Sequence, residues 1–222
     1  MPTRLSTQAS QSGEETRAKI IAATLQTLRD EGIVGATARA IARTGGFNQA
    51  LIFYHFGGVT GLLVAAAVSE GEQRAARYAP RLESVTTLAE LVAVARDLHE
   101  AEVAQGGQNV LTQLLAGAAS SPELRAGLMR AFQPWMQLVE ESVERVLGTT
   151  PYANLVKSED LTFAITSLFL GIELMNTLDP EKESALSLFT TFETLATVIE
   201  ALLRVPVPEP ERASPKKRKK KG

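Results

Sequence analysis

Residues 37–56, TARAIARTGGFNQALIFYHF, hold two short helical patterns separated by a pair of glycines. Thr37 can cap the first, because its hydroxyl can accept from the free backbone N–H groups of an opening helical turn. The pattern runs through Ile41 to Thr44 and stops at Gly45 and Gly46. Asn48 is the next cap, and residues 49–55 make about two turns of helix before Gly57 and Gly58 end them. A short helix, a glycine turn and a second short helix form a helix-turn-helix, whose second helix lies in the major groove where the motif reads DNA. Spacing alone leaves another possibility open, a three-helix packing unit with no DNA function.

Upstream, Ile20, Ile21, Leu25 and Leu28 recur at helical spacing within residues 14–29, and Gly32 follows as a stop. The first fifteen residues, MPTRLSTQASQSGEE, are polar and lack the apolar run of a signal peptide; residues 1–14 are expected to form a flexible arm. Downstream, a linking helix is expected over 61–78, ending near Pro80. Amphipathic runs follow over 88–105, 110–119, 123–147, 159–178 and 181–203, separated by Gly106-Gly107, Ser121-Pro122, 148–151 and Asp179-Pro180. Pro134 lies inside the third of these, so a kink or break is expected near Arg130 and Ala131. The expected fold is therefore all-α, with about nine helices. A three-helix helix-turn-helix domain over 15–60 precedes a larger helical domain over 61–204, and residues 205–222 form a disordered basic tail.

Composition supports this division. Hydrophobic residues make up 45% of the 222, mostly Ala and Leu, while aromatics are only 5%, a balance that favours helices over sheets. Residues 1–60 carry six Lys/Arg against four Asp/Glu, residues 61–210 ten against twenty, and residues 211–222 seven against one. An acidic body repels DNA, so contact with it is confined to the N-terminal part and the tail. There is no cysteine, hence no disulfide and no thiolate metal site, and a reducing cytoplasm is the expected location. Only two histidines are present and no glycine-rich phosphate loop or spaced carboxylate–histidine cluster, so an enzyme, a metal site or a cofactor is not expected. The most apolar run, 161–178, contains Thr162, Thr166, Ser167, Glu173 and Asn176, which makes a bilayer span costly, and no membrane partner is expected.

Taken together, Thr37, Ile41, Ala42, Gly46, Phe47, Ile52, Phe53, Tyr54, His55 and Phe56 resemble the N-terminal signature of the TetR family of bacterial regulators. The resemblance covers about residues 15–65. It departs from the family's pattern at Gly45, where alanine is usual, at Phe47, where a small aliphatic residue is usual, and at Ala50, where glycine is common. Val59 stands where the family commonly has a phosphate-contacting lysine. The resemblance implies a dimeric DNA-binding transcriptional regulator, most often a repressor released by a small effector; the alternative is a helical regulator or adaptor without one.

On that basis the candidate DNA-binding residues are Thr37, Arg39, Arg43, Asn48, Gln49, Ala50, Leu51, Phe53, Tyr54 and His55. Gln49 can bond adenine N6 and N7, apolar side chains can touch a thymine methyl, and no arginine in this helix can read guanine bidentately. Thr37, Arg39, Arg43, Tyr54 and His55 are placed to hold phosphates, which fix register without reading sequence. For the arginines the alternative is a solvated helix face, and for His55 a capping role beside Phe56. Ile41, Phe47, Ile52 and Phe56 are expected in the core.

In the second domain, Leu128, Phe132 and Trp135 share a stripe with Met129 and Met136 beside it. Together with Leu111, Leu114, Phe163 and Phe169 they are candidates to line an apolar cavity dotted with Gln113, Thr166, Glu173 and Asn176. Helical spacing does not distinguish a lined cavity from a packed core; the family resemblance implies the former, with a neutral or cationic, apolar or aromatic effector. The last two long runs carry apolar faces too large for one chain to cover, which calls for a homodimer with a four-helix interface. Two readers on one body would engage half-sites roughly 34–36 Å apart on a near-palindromic duplex operator.

The terminal SPKKRKKKG has six cations among its last seven residues and adds sequence-independent phosphate attraction; it also resembles a nuclear-import signal. Removing residues 214–222 is expected to lower the salt dependence of DNA binding with little change in sequence preference, measured as the slope of log affinity against log salt.

Overall fold

Runs rich in Ala and Leu build helices throughout. The computed structural model describes residues 4–104, 110–148, 150, 156–178 and 184–203. Among these are nine helices and no strand: α1 Arg4–Gly35, α2 Ala38–Gly45, α3 Ala50–Phe56, α4 Val59–Ser84, α5 Leu88–Ala104, α6 Val110–Ala118, α7 Pro122–Gly148, α8 Ser158–Leu178 and α9 Ser184–Leu203. The all-α expectation and the helix count hold.

Several boundaries differ from expectation. Helix α1 begins at Arg4, so most of the stretch expected as an arm is helical; extending a formed helix needs only one hydrogen bond per residue fixed. Gly32 does break it, at φ 68° and ψ −178°, and the chain resumes helical turns to Gly35. Helix α4 passes through Pro80 to Ser84 rather than ending there. Its final turn is held from outside: the Leu82 carbonyl accepts from the Ser142 hydroxyl at 2.9 Å and from Arg145 at 3.1 Å, both on α7. Helix α7 is likewise one helix with Pro134 inside it, so the expected break into two is absent.

The first three helices pack around Ile20, Leu28, Ile41 and Ile52, all fully buried, and Leu62 of α4 closes this core from below. Helix α4 then lies along α7. A Cβ at Gly71 would stand 2.2 Å from the Ala131 carbonyl oxygen, and one at Gly127 would stand 2.7 Å from the Val64 methyls. At Gly71 glycine thus allows a close backbone approach of the two helices, and at Gly127 it leaves room for the Val64 side chain. Farther along, Tyr78 and Leu82 of α4, Leu91 and Leu98 of α5, and Val139 and Val143 of α7 form a second core. Phe189 of α9 and Ile172 of α8 anchor a third.

Because the Gly71 contact is with backbone, Gly71→Ala must move one helix. It is expected to destabilise the chain by about 1–3 kcal/mol, read as a lowered unfolding midpoint in thermal or denaturant melts. An unchanged midpoint would mean the crossing is looser than described.

Candidate nucleic-acid interface

The geometry of the helix-turn-helix follows from its caps. The Thr37 hydroxyl accepts from the Ala40 N–H at 3.2 Å and opens α2, as expected. At the other end Gly46 adopts φ 63°, ψ 44°; its N–H reaches the Arg43 carbonyl and the Phe47 N–H the Ala42 carbonyl. Those two bonds are a Schellman closure, and they set the turn into α3. The Asn48 side chain accepts from the Ala50 N–H at 2.9 Å, so Asn48 caps the following helix. Gly57, at φ 74°, ends it by donating to the Phe53 carbonyl at 3.0 Å.

Helix α3 is held from below by Ile52, which is fully buried, while its outer face is open. Asn48, Gln49, Ala50, Phe53 and Tyr54 are exposed, Tyr54 by 82% and Phe53 by 56%. Leu51, His55 and Phe56 are half-buried. Such exposure of two large aromatics on a helix so firmly seated is a surface built for contact. Ile41 and Ile52 are in the core as expected, with Phe47 and Phe56 packed against it.

The cations are arranged around this face. Thr37, Arg39 and Arg43 are exposed; Arg43 pairs with Glu31 at 2.6 Å, and Arg39 has no ion pair among the described residues. An exposed pair of this kind contributes little, so Arg43 can exchange Glu31 for a phosphate. Arg17 was missed by the sequence reading. From α1 it donates to the His55 carbonyl at 2.6 Å and sits 4.4 Å above the Phe56 ring, closing the C-terminal end of α3. A cation there offsets the negative end of the helix and fixes its angle. Its 38-residue separation from His55 left no local pattern to find it by.

Two departures from the usual signature explain each other. A Cβ at Gly45 would lie 2.2 Å from the Phe47 ring and 2.8 Å from the Ala23 methyl, so the ring of Phe47 occupies the space that a methyl at 45 would need.

The second candidate site lies deeper. A cavity of about 40 Å³ is enclosed by α4, α5, α6, α7 and α8. Of the residues expected to line it, Leu111, Leu114, Leu128, Phe132, Trp135, Thr166 and Phe169 do so; Glu70, Gly71 and Arg74 of α4 join them and were not anticipated. The rest are elsewhere. Gln113 accepts from the Ile33 N–H at 3.0 Å, tying α6 to α1 just past the Gly32 break. Met129 and Phe163 are exposed, by 61% and 68%, and Met136 is half-buried away from the cavity. Glu173 is buried and accepts from or shares a proton with His99 Nδ1 at 2.8 Å, joining α8 to α5. Asn176 borders a separate depression between α8 and α9. The cause is that α8 turns its polar residues inward, Thr162, Thr166 and Glu173, and leaves Phe163, Leu174, Met175 and Leu178 outside.

Residues 20–66 match the family model described as bacterial regulatory proteins, tetR family. Solved structures share the fold at low identity. A transcriptional regulator of the TetR family from Cytophaga hutchinsonii is 15% identical with a TM-score of 0.71, covering 88% of this chain and 98% of that one. The regulator FadR from Bacillus subtilis, in complex with stearoyl-CoA, is 15% identical with a TM-score of 0.67, covering 81% and 96%. A TetR transcriptional regulator from Legionella pneumophila is 19% identical with a TM-score of 0.61, covering 80% and 94%. No curated protein sequence matches the chain significantly.

The Gly45–Phe47 relation is testable. Gly45→Ala alone is expected to cost about 1–3 kcal/mol through overpacking, and combining it with Phe47→Val is expected to recover part of that loss. Additive losses in a double-mutant cycle would show that the two positions do not compete for space.

Proposed function

We propose, from the match of residues 20–66 to the tetR-family model, that the chain is a homodimeric repressor of that family, one that leaves its operator when a small apolar or aromatic effector enters the second domain. The observation that carries the reading is the outward face of α3: Asn48, Gln49, Ala50, Phe53 and Tyr54 stand free on a helix locked by Ile52 and Arg17. Gln49 is assigned to base edges, Phe53 and Ala50 to thymine methyls, and Thr37, Arg39, Arg43, Tyr54 and His55 to phosphates. With Val59 in place of a lysine, Arg39 and Arg43 carry more of the phosphate contact.

Self-association is supported by the apolar outer surface of α8 and α9, where Leu174, Met175, Leu178, Leu195, Val198 and Leu202 are exposed. Both helices are long and apolar enough to cross a membrane by length and composition. Yet Glu173 of α8 bonds His99 of α5, and Glu193 of α9 pairs with Arg96 of α5 at 3.0 Å, so each is fastened to the helical body. A second copy of the same two helices is the partner that this apolar surface suits.

Release follows from size. A cavity of about 40 Å³ holds little more than water, whereas an apolar ring needs a space on the order of 150 Å³. An effector must therefore part the walls, and α4 is one of them; its other end supports α3. Moving α4 changes the separation of the two readers, and by linkage DNA and effector weaken each other by the same factor. The small cavity also favours a second reading, a regulator with no effector at all.

Selection of duplexes from a randomised pool, followed by footprinting, separates these possibilities. We expect a near-palindromic site with half-sites about one helical turn apart, and a loss of about 1–3 kcal/mol with relaxed base preference for Gln49→Ala. Binding without sequence preference, or by a monomer, would refute the repressor reading; a selected operator that no small molecule releases would favour the second.

A further inference from the structure

The cavity's polar residues identify the chemistry of what it admits. We propose that the effector is a lipophilic cation with aromatic surface, held by the Glu70 carboxylate and, where it is a protonated amine, by an N–H donated to the Thr166 hydroxyl. This rests on the effector reading above and names the class of ligand for that site.

Three observations converge. First, the cavity is acidic at its polar end: Glu70 lines it and forms no ion pair among the described residues, while Arg74, the lining cation, is engaged with Glu102 at 2.6 Å. Both members of that pair are largely buried, so Arg74 is not available to an anionic ligand without stranding a carboxylate. Burial, with Glu70 and Glu173 adding to it, pushes the Glu102 carboxyl above its ordinary value, while Arg74 and Arg77 pull it down. Glu70 and Glu173 thus lie near the Glu102 carboxyl, with Arg74 held by Glu102 and Glu173 held by His99, which leaves Glu70 as the carboxylate facing the cavity.

Second, Thr166 lines the cavity, is more than nine-tenths buried, and its hydroxyl has no hydrogen-bond partner among the described residues. A hydroxyl in that state costs free energy until something bonds it, and the N–H of a protonated amine can do so. Third, the remaining wall is aromatic and aliphatic, with Phe132, Trp135 and Phe169 exposing ring surface to the space. Aromatic faces attract cations and accommodate apolar substituents, whereas they offer an anion nothing. An acyl carboxylate or a phosphate would meet Glu70 without a free guanidinium to answer it.

Trp135 is the single tryptophan of the chain and lines the cavity, so its fluorescence reports occupancy directly. The full chain would be titrated with tetraphenylphosphonium and, separately, with tetraphenylborate, two ions of nearly equal shape and opposite charge. We expect the phosphonium to change Trp135 emission and to bind at least about tenfold tighter than the borate. Glu70→Gln, whose fold is verified by its melting midpoint, is expected to weaken the phosphonium about tenfold and to leave the borate no weaker than before, or bound more tightly. Benzyltrimethylammonium against phenylacetate repeats the comparison with smaller ions. The proposal is overturned if the anions bind as well as the cations, if neither cation binds, or if Glu70→Gln leaves cation affinity unaltered. A cation that binds without releasing the operator would contradict the release mechanism and leave the ligand class standing; release by an anion alone would do the reverse.

Discussion

The backbone contact between Gly71 of α4 and the Ala131 carbonyl of α7 is the constraint on which the arrangement depends. It brings α4 and α7 into close backbone contact, and both residues lie in the wall of the inner cavity. Helix α4 starts only three residues after α3 ends, with Leu62 in the core of the reader, and its last carbonyls are held by Ser142 and Arg145 of α7. A shift at the crossing has nowhere to be absorbed along a continuous helix. Interiors packed in this way switch between arrangements rather than deform gradually, which is what the proposed release by an effector requires.

A second tie runs through α6. Its Gln113 side chain accepts from the Ile33 N–H at the broken end of α1, and a Cβ at Gly117 would lie 3.1 Å from Ile33. Leu111 and Leu114 on the same helix line the cavity. The reader is thus fastened to the cavity wall at two separate places, one through α4 and one through α1. Gln113, expected beside a ligand, instead joins α6 to α1.

The helix-turn-helix was legible because its signals are local: Thr37, Gly46, Asn48 and Gly57 each act within five residues, and the structure assigns them the capping and turn roles that their chemistry suggests. The cavity was legible only in part. Residues on α6 and α7 followed the rule that the apolar face turns inward, and Leu111, Leu114, Leu128, Phe132 and Trp135 lie where that rule puts them. Helix α8 inverts it, burying Thr162, Thr166 and Glu173 and exposing Phe163, because it has two apolar environments to satisfy, the body and the surface proposed for a second chain. No periodicity in one chain reveals which is which. Glu70, Arg74 and Arg17 were invisible for a different reason, since their partners Glu102 and the His55 carbonyl come from remote elements or the residue itself faces a space made by four others. Proline misled in both long helices, because Pro80 and Pro134 forfeit one hydrogen bond each while packing against a neighbour retains the helix.

The central claim is that the exposed face of α3 meets duplex DNA. Hydrogen–deuterium exchange of the full chain, with and without a selected duplex, tests it most directly. Protection concentrated in residues 37–56, with α8 and α9 unchanged on adding DNA, is the result this account predicts; protection centred elsewhere, with those residues exchanging as in the free protein, would contradict it.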